Sequence, residues 1–413
     1  MLVMVCNAGS TSLKYKLFNM PDDRILVEAK TERVGRPDAI FSYKNNVTGF
    51  SEKLTGLDIP DYTAGVRLFL KYLVAPSTVE SSGLPAVSHY LDSISLLDAV
   101  GFKTVLAKGY YGVHELTDDV IHAMEEYIPV APAHNPPYIQ AIKVFKGLLP
   151  DTLMVGCFET AFHTTIPLSR TLYALPYEWY ENYGIRRYGY HGASHGYISR
   201  RITELAGKKP AGERQEHLRL ISCHLGGSGS ICAILDGKSV DTSFGFSLQT
   251  GIPHANRSGD MDAYIIPYLL GQNLPLEDIM KGIDKQGGLL GISGVSNDLR
   301  EVEAAANQGN ERAALAIDVF CAAIIKYIGA FYAELGGLDY LVFTGGIGEN
   351  SVLVREKVCS ALPHLGITFD PVRNANLKGE NQISTDDSAV KVMVIPANEE
   401  VGIARTIFEQ FSR

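Results

Sequence analysis

The chain has 413 residues, 46% of them apolar and 20% charged, which supplies apolar surface for two or three ordered domains and excludes a disordered polymer. Lys and Arg total 37 against 46 Asp and Glu, a net charge of −9, so a general binder of nucleic acid or acidic membrane is excluded and an anionic substrate would need a local cationic pocket. No run reaches the ~18 consecutive apolar residues of a membrane helix, and residues 1–12 lack the basic-then-apolar order of a secretory leader.

Apolar residues 2–6 and 13–18 read as strands flanking the small polar loop 7–12. Pro-rich residues 129–137 read as an extended connection, and residues 207–216 as a solvated loop. A second strand–loop–strand follows at 220–224, 225–230 and 231–235. Aligning Cys6-Asn7-Ala8-Gly9-Ser10-Thr11-Ser12 with Cys223-His224-Leu225-Gly226-Gly227-Ser228-Gly229 gives two loops of the same length, one per half, which suggests a duplicated domain. Ala314, Ile317, Cys321, Ile324, Ile328 and Phe331 recur at helical spacing, predicting a helix over 310–335. A strand over 340–343 leads into the glycine loop Gly345-Gly346-Ile347-Gly348-Glu349-Asn350 and then a helix over 351–362. The chain ends with a strand at 392–395 and a helix over 397–411. Glycines that follow strand-like runs fit an α/β architecture. The six cysteines contain no Cys-x-x-Cys pair and read as reduced core residues of a cytoplasmic protein.

Loops of Gly, Ser and Thr let backbone N–H groups and hydroxyls approach phosphate oxygens, and Lys14 lies just beyond the first. Three such loops favour a nucleotide over three ordinary turns, although none fits the P-loop or the G-x-G-x-x-G pattern. His191 and His195 are four apart, a zinc-like spacing that lacks a third ligand. The better account has His191 donating to developing charge while His195 packs or caps. Arg257, in Asn256-Arg257-Ser258-Gly259-Asp260, can clamp a phosphoryl or carboxylate group, or brace its own loop against an aspartate. Glu159 ends an apolar run, where a carboxylate can move a proton, hold a metal or open a helix. Glu399 and Glu400 follow a strand end and can offer oxygen to Mg²⁺ or form the acidic first turn of a helix.

Together these residues resemble the acetate kinase family, the acetate and propionate kinases of the sugar kinase–Hsp70–actin superfamily. The likeness runs from Val5 to about Arg405. It is carried by Asn7 through Lys14, Ala131-Pro132-Ala133-His134-Asn135-Pro136-Pro137, Glu159-Thr160-Ala161-Phe162-His163, residues 188–195, Arg257-Ser258-Gly259-Asp260, residues 345–350 and Asn398-Glu399-Glu400. The resemblance implies two actin-like (ribonuclease H-like) α/β domains with an active-site cleft between them. They would span 1–159, completed by the terminal helix 397–413, and 160–396, which would carry nucleotide binding and dimerisation. It implies reversible transfer of the terminal phosphoryl of ATP to a short-chain carboxylate by a cytoplasmic homodimer, with Mg²⁺ (or Mn²⁺) and no nucleic-acid or membrane partner.

By the same resemblance Glu159, His191 and Arg257 are catalytic, and Asn7 and Glu399 hold the metal. Ser10, Ser12, Lys14, His224, Gly226, Gly227, Ser228, Asp298, Leu299, Arg300, Gly346, Ile347, Gly348, Glu349 and Asn350 contact nucleotide or phosphate. Lys103, Val105, His134, Tyr190 and Leu248 line the acid pocket. Four positions depart from the family. Lys103 stands where the family has a carboxylate-binding Arg, Glu159 where it has Asp, Gly227 for an Asn and Leu248 for a pocket Pro. Lysine keeps the charge without the planar fork. Two alternatives follow. One is a kinase with another donor such as pyrophosphate, suggested by Gly227; the other is a nucleotide-binding module without catalysis, suggested by the lost Arg.

Overall fold

The computed structural model describes residues 1–9, 11–75, 88–132, 134–207 and 217–412. The chain forms two compact units, Met1–Ala161 with Asn398–Arg413, and Phe162–Ala397.

The first unit is built on β1 (Leu2–Gly9), β2 (Ser12–Asn19), β3 (Arg24–Glu32), β4 (Ala39–Asn45), β5 (Ser51–Leu57), β6 (Ala99–Thr104), β7 (Val113–Glu115) and β8 (Leu153–Phe158), in the order β5-β4-β3-β2-β1-β6-β8-β7. β1 pairs antiparallel with β2 and parallel with β6, which pairs parallel with β8. Successive side chains on a strand point to opposite faces, so directly paired residues share one. On one face Tyr15 stacks on Phe69 at 4.1 Å between ring centroids, and Phe102 meets Phe145 at 5.5 Å. That face is covered by the helices Tyr62–Leu73 and Asn135–Leu148. The opposite face carries Val5 and its partner Gly101, and receives the terminal helix Glu399–Phe411, with Ile403 and Ile407 over Gly101. The Pro-rich stretch read as extended through residue 137 turns helical at Asn135. Pro136 and Pro137 occupy the first turn, where the missing N–H has no intrahelical partner to lose. Of the expected loop at 207–216, residues 208–216 lie outside the described residues.

The second unit is built on β9 (Arg219–His224), β10 (Ser230–Leu235), β11 (Lys238–Thr242), β12 (Tyr340–Thr344), β13 (Asn381–Gln382) and β14 (Lys391–Val394), in the order β11-β10-β9-β12-β14-β13. Its first five strands repeat β3-β2-β1-β6-β8 with the same parallel and antiparallel pairings. The duplication suggested by two short loops therefore extends to a whole sheet. The helix Glu311–Leu335 is long and apolar enough to cross a membrane by length and composition alone. Its Ile317, Phe320, Ile324, Ile328 and Phe331 are buried in one core with Ile221, Ile231 and Leu341. Asn310 caps its start by accepting from Ala313 N at 3.0 Å. The glycine segment expected as a loop is itself a short helix, Gly345–Asn350, followed directly by Val352–Ser360. All six cysteines are free and buried.

Candidate active site

Within the first unit, register brings polar side chains onto one sheet face. Asn7 lies opposite Lys14, and one step along from the pair Cys6 and Phe102 it reaches the level of Lys103. Lys103 Nζ lies 2.9 Å from Glu159 Oε1 and 2.6 Å from Glu399 Oε2. Glu159 is fixed by its place just after β8, where its N–H donates to Thr104 O at 2.9 Å. Glu399 opens the terminal helix, whose N-terminus favours a carboxylate. Burial works against the Lys103 charge, but Glu159 and Glu399 outweigh it and hold its pKa well above the ordinary lysine value. Tyr138 Oη donates to Asn7 Oδ1 at 2.9 Å, and burial chiefly raises the Tyr138 pKa, so the phenol stays protonated. Glu159 and Glu399, assigned to different tasks in the sequence, thus share one ammonium. Lys103, expected at the acid, contacts both.

Ser12 is half-buried at the end of the β1–β2 hairpin, Lys14 is exposed, and Ser10 lies outside the described residues. Val105 is buried, and His134 is half-buried immediately before Asn135–Leu148. Asn135 anchors that helix start, its side-chain amide donating to Leu106 O at 2.9 Å and Met124 O at 2.8 Å.

In the second unit His191 sits at the N-cap position of Gly192–Ala206 with φ 58°, a left-handed conformation uncommon for a residue with a Cβ. Its Nδ1 lies 2.9 Å from Ser230 Oγ, and its ring centroid 4.2 Å from that of His224. Ser230 Oγ is also 2.8 Å from His195 Nε2, while His195 Nδ1 is 2.9 Å from Ser222 Oγ. A hydroxyl donates only one proton, so at least one of the two imidazoles must donate to Ser230. Burial holds His195 well below the usual histidine pKa, so its ring is neutral. With both of its nitrogens engaged by serines, His195 braces His191, and the zinc-like spacing is a packing feature. His224 is oriented by Ser194 Oγ, 2.7 Å from its Nδ1.

Arg257 Nη1 donates to Leu248 O at 2.8 Å. Burial lowers the Arg257 pKa, with Asp284 opposing. Asp260 accepts from Gly251 N at 2.8 Å and Tyr327 Oη at 2.5 Å, so the loop is braced by Asp260 through other partners. Tyr190, expected at the acid, is fully buried and donates to Phe246 O at 2.7 Å, a bracing contact.

The three segments assigned to nucleotide come together around one concavity of about 650 Å³, within the range of small-ligand sites. Gly226, Gly227, Asp298, Leu299, Arg300, Gly346, Ile347 and Asn350 line it, joined by Ala255, Asn297, Glu303 and Ser351. Leu225 O ties the segments by accepting from Ile347 N at 2.8 Å and Gly348 N at 3.2 Å. A Cβ on Gly345, at φ 78°, would lie 2.7 Å from Leu225 O, so this crossing requires glycine. Asp298 caps the helix Leu299–Asn307 and pairs with Arg300. Glu349 accepts from Gly345 N at 3.0 Å and Ala397 N at 2.9 Å, a bracing contact. Ser228 Oγ is buried without a hydrogen-bond partner. Sequence reasoning missed Tyr138 as the partner of Asn7 and Ser230 as the anchor of His191. Neither carries a motif: Tyr138 reaches Asn7 from the helix Asn135–Leu148, and Ser230 reaches His191 from the first residue of β10.

The acetokinase family model matches residues 2–405. The acetate kinase of Bacillus velezensis is 42% identical over 409 residues, covering 98% of both chains. Among solved structures, the Porphyromonas gingivalis acetate kinase superimposes with a TM-score of 0.83 at 39% identity, covering 98% of each chain. The Francisella tularensis propionate kinase does so with 0.84 at 32% identity and the same coverage. With the likeness spanning both units in full, the chain belongs to the acetokinase family.

Proposed function

We propose that the protein is a carboxylate kinase that moves the terminal phosphoryl of ATP reversibly to acetate or a similar short-chain acid. A carboxylate oxygen attacks the terminal phosphorus, the bond to the ADP oxygen breaks, and the products are an acyl phosphate and ADP. The observation that carries the reading is the convergence of Gly226-Gly227, Asp298-Leu299-Arg300 and the Gly345–Asn350 helix on one concavity in a chain of this family. Phosphoryl transfer needs positioning and neutralisation of negative charge more than covalent chemistry. His191, aimed by Ser230 and His195, and Arg257, held at Leu248 O, supply donors for that charge. Ser12 and Lys14 are assigned to phosphate, and Val105, His134 and Leu248 to the acid. Asn7 Oδ1 and the Glu399 carboxylate are hard oxygen donors of the kind a divalent cation takes, so the chain's residues fit Mg²⁺. Bound there, Mg²⁺ would offset charge on the phosphates. Six free, buried cysteines agree with a reducing cytoplasm, and a homodimer is part of the same reading.

A coupled assay with acetate, propionate, butyrate and longer acids against ATP, GTP and pyrophosphate tests this. ATP-dependent acyl phosphate formation with a short acid is expected. Turnover with pyrophosphate alone would reassign the donor, and nucleotide binding without turnover on any acid would overturn the kinase reading.

A further inference from the structure

The Lys103 ammonium is the centre of a three-member ion cluster, 2.9 Å from Glu159 Oε1 and 2.6 Å from Glu399 Oε2. The three side chains keep only 18%, 4% and 13% of their surface exposed, so water screens the cluster weakly. Each partner is placed by a different part of the fold: Lys103 by β6, Glu159 by the end of β8 and Glu399 by the terminal helix. Lysine brings three donors on a compact, mobile point charge. One is donated to Glu399 at 2.6 Å, Glu159 Oε1 lies 2.9 Å away as an ion pair, and an acid approaching Lys103 would add a third anion to a charge that two share. The same two carboxylates, with Asn7 Oδ1 on the same sheet face, make a hard-oxygen set.

We propose that Lys103 is the resident counter-ion of the Glu159–Glu399 pair and competes with a divalent cation for it, setting cation affinity instead of holding the acid. The proposal rests on the kinase reading only in taking Glu399 as a cation ligand. Charge balance gives its direction. Two carboxylates and one ammonium sum to −1, so a divalent ion leaves a buried +1 unless the ammonium swings out. Without the lysine charge the pair and the ion sum to zero. Cation entry is therefore coupled to Lys103 leaving its two partners, and every neutral replacement of Lys103 removes that competition.

The test is a titration of the full chain with Mn²⁺ alone, followed by calorimetry and by electron paramagnetic resonance of the free ion. Wild type, Lys103→Met and Lys103→Gln are compared, each also with Glu399→Gln. Both single variants should bind Mn²⁺ at least ~10-fold more tightly, a modest part of the effect of removing a unit charge a few Å away. Adding Glu399→Gln should abolish the gain. Melting temperatures give a second readout. In chelator the variants should melt below wild type, because two buried carboxylates lose their counter-ion, and Mn²⁺ should restore them. A variant that folds only with Mn²⁺ supports the proposal equally. Wild-type Mn²⁺ affinity in both single variants, a gain that survives Glu399→Gln, or a loss of folding that Mn²⁺ does not reverse would overturn it. Failure of the kinase reading would appear elsewhere, as absence of turnover in wild type on every acid, with these titrations unaffected.

Discussion

Arg257 is half-buried, has one donor committed to Leu248 O, and burial lowers its pKa. If it acts chiefly on the phosphoryl in flight, Arg257→Ala should lower kcat by about 10²–10³-fold, the scale for losing one preorganised donor. The KM of the acid should move much less. Steady-state kinetics decide it, and near-normal turnover would remove Arg257 from the reaction. His163 makes a different kind of prediction. Burial lowers its pKa from the ordinary 6.5 to about 4, only partly offset by its bond to Tyr190 O. A depressed histidine costs the folded state nothing above pH 6.5 and progressively more as pH falls from 6.5 towards 4, because the unfolded chain takes up the proton first. Urea unfolding followed from pH 7 to 4.5 should therefore lose stability on the order of 1.4 kcal/mol per pH unit for this proton. His163→Gln should flatten that slope, and an unchanged slope would assign it to other groups. Arg257 and His191 stand out in the sequence because the motifs around them resemble those of the family. Ser230, 39 positions from His191, does not, because its contact depends on how β10 pairs with β9.

Gly101 shows why an element's position can rest on an absent side chain. It faces the terminal helix on the sheet surface that also presents Lys103, and a Cβ there would collide with Ile407 Cδ1 and sit 3.1 Å from Ile403 Cγ2. Gly101→Val overpacks this contact and should cost about 1–3 kcal/mol of stability by denaturant titration. Because Glu399 rides on the same helix, kcat should fall as well. Unchanged stability and activity would mean the helix does not depend on that close approach. Periodicity exposed the long helix Glu311–Leu335, whose apolar spacing is strong. It misread Gly345–Asn350 because three glycines mimic a loop, although the helix is supported from outside by Leu225 O. It also extended the Pro-rich connection too far, since proline marks a helix start as readily as an irregular stretch.

The path of the chain through its two units yields the last prediction. The first unit is discontinuous: the chain leaves it at Ala161 and rejoins it at Asn398, so one face of its sheet is covered by a helix distant in sequence from its strands. The repeated loops revealed the duplication, but the loan of a terminal helix is a tertiary fact that no local pattern encodes. That helix buries Val401, Ile403, Ala404 and Ile407. The two isoleucines alone contribute roughly 3–6 kcal/mol at the usual scale for burying such side chains, a large share of what a domain normally has to spare. A chain ending at residue 397 should therefore lose hydrogen-exchange protection in β1, β6 and β8, the three parallel strands of the first sheet. It should keep protection in β9, β12 and β14, whose core is supplied within Phe162–Ala397. Cation binding should fall with it, since Glu399 is removed. Equal loss of protection in both sheets would show that the two units unfold as one cooperative body, and full protection in the first would show that the helix is dispensable to it.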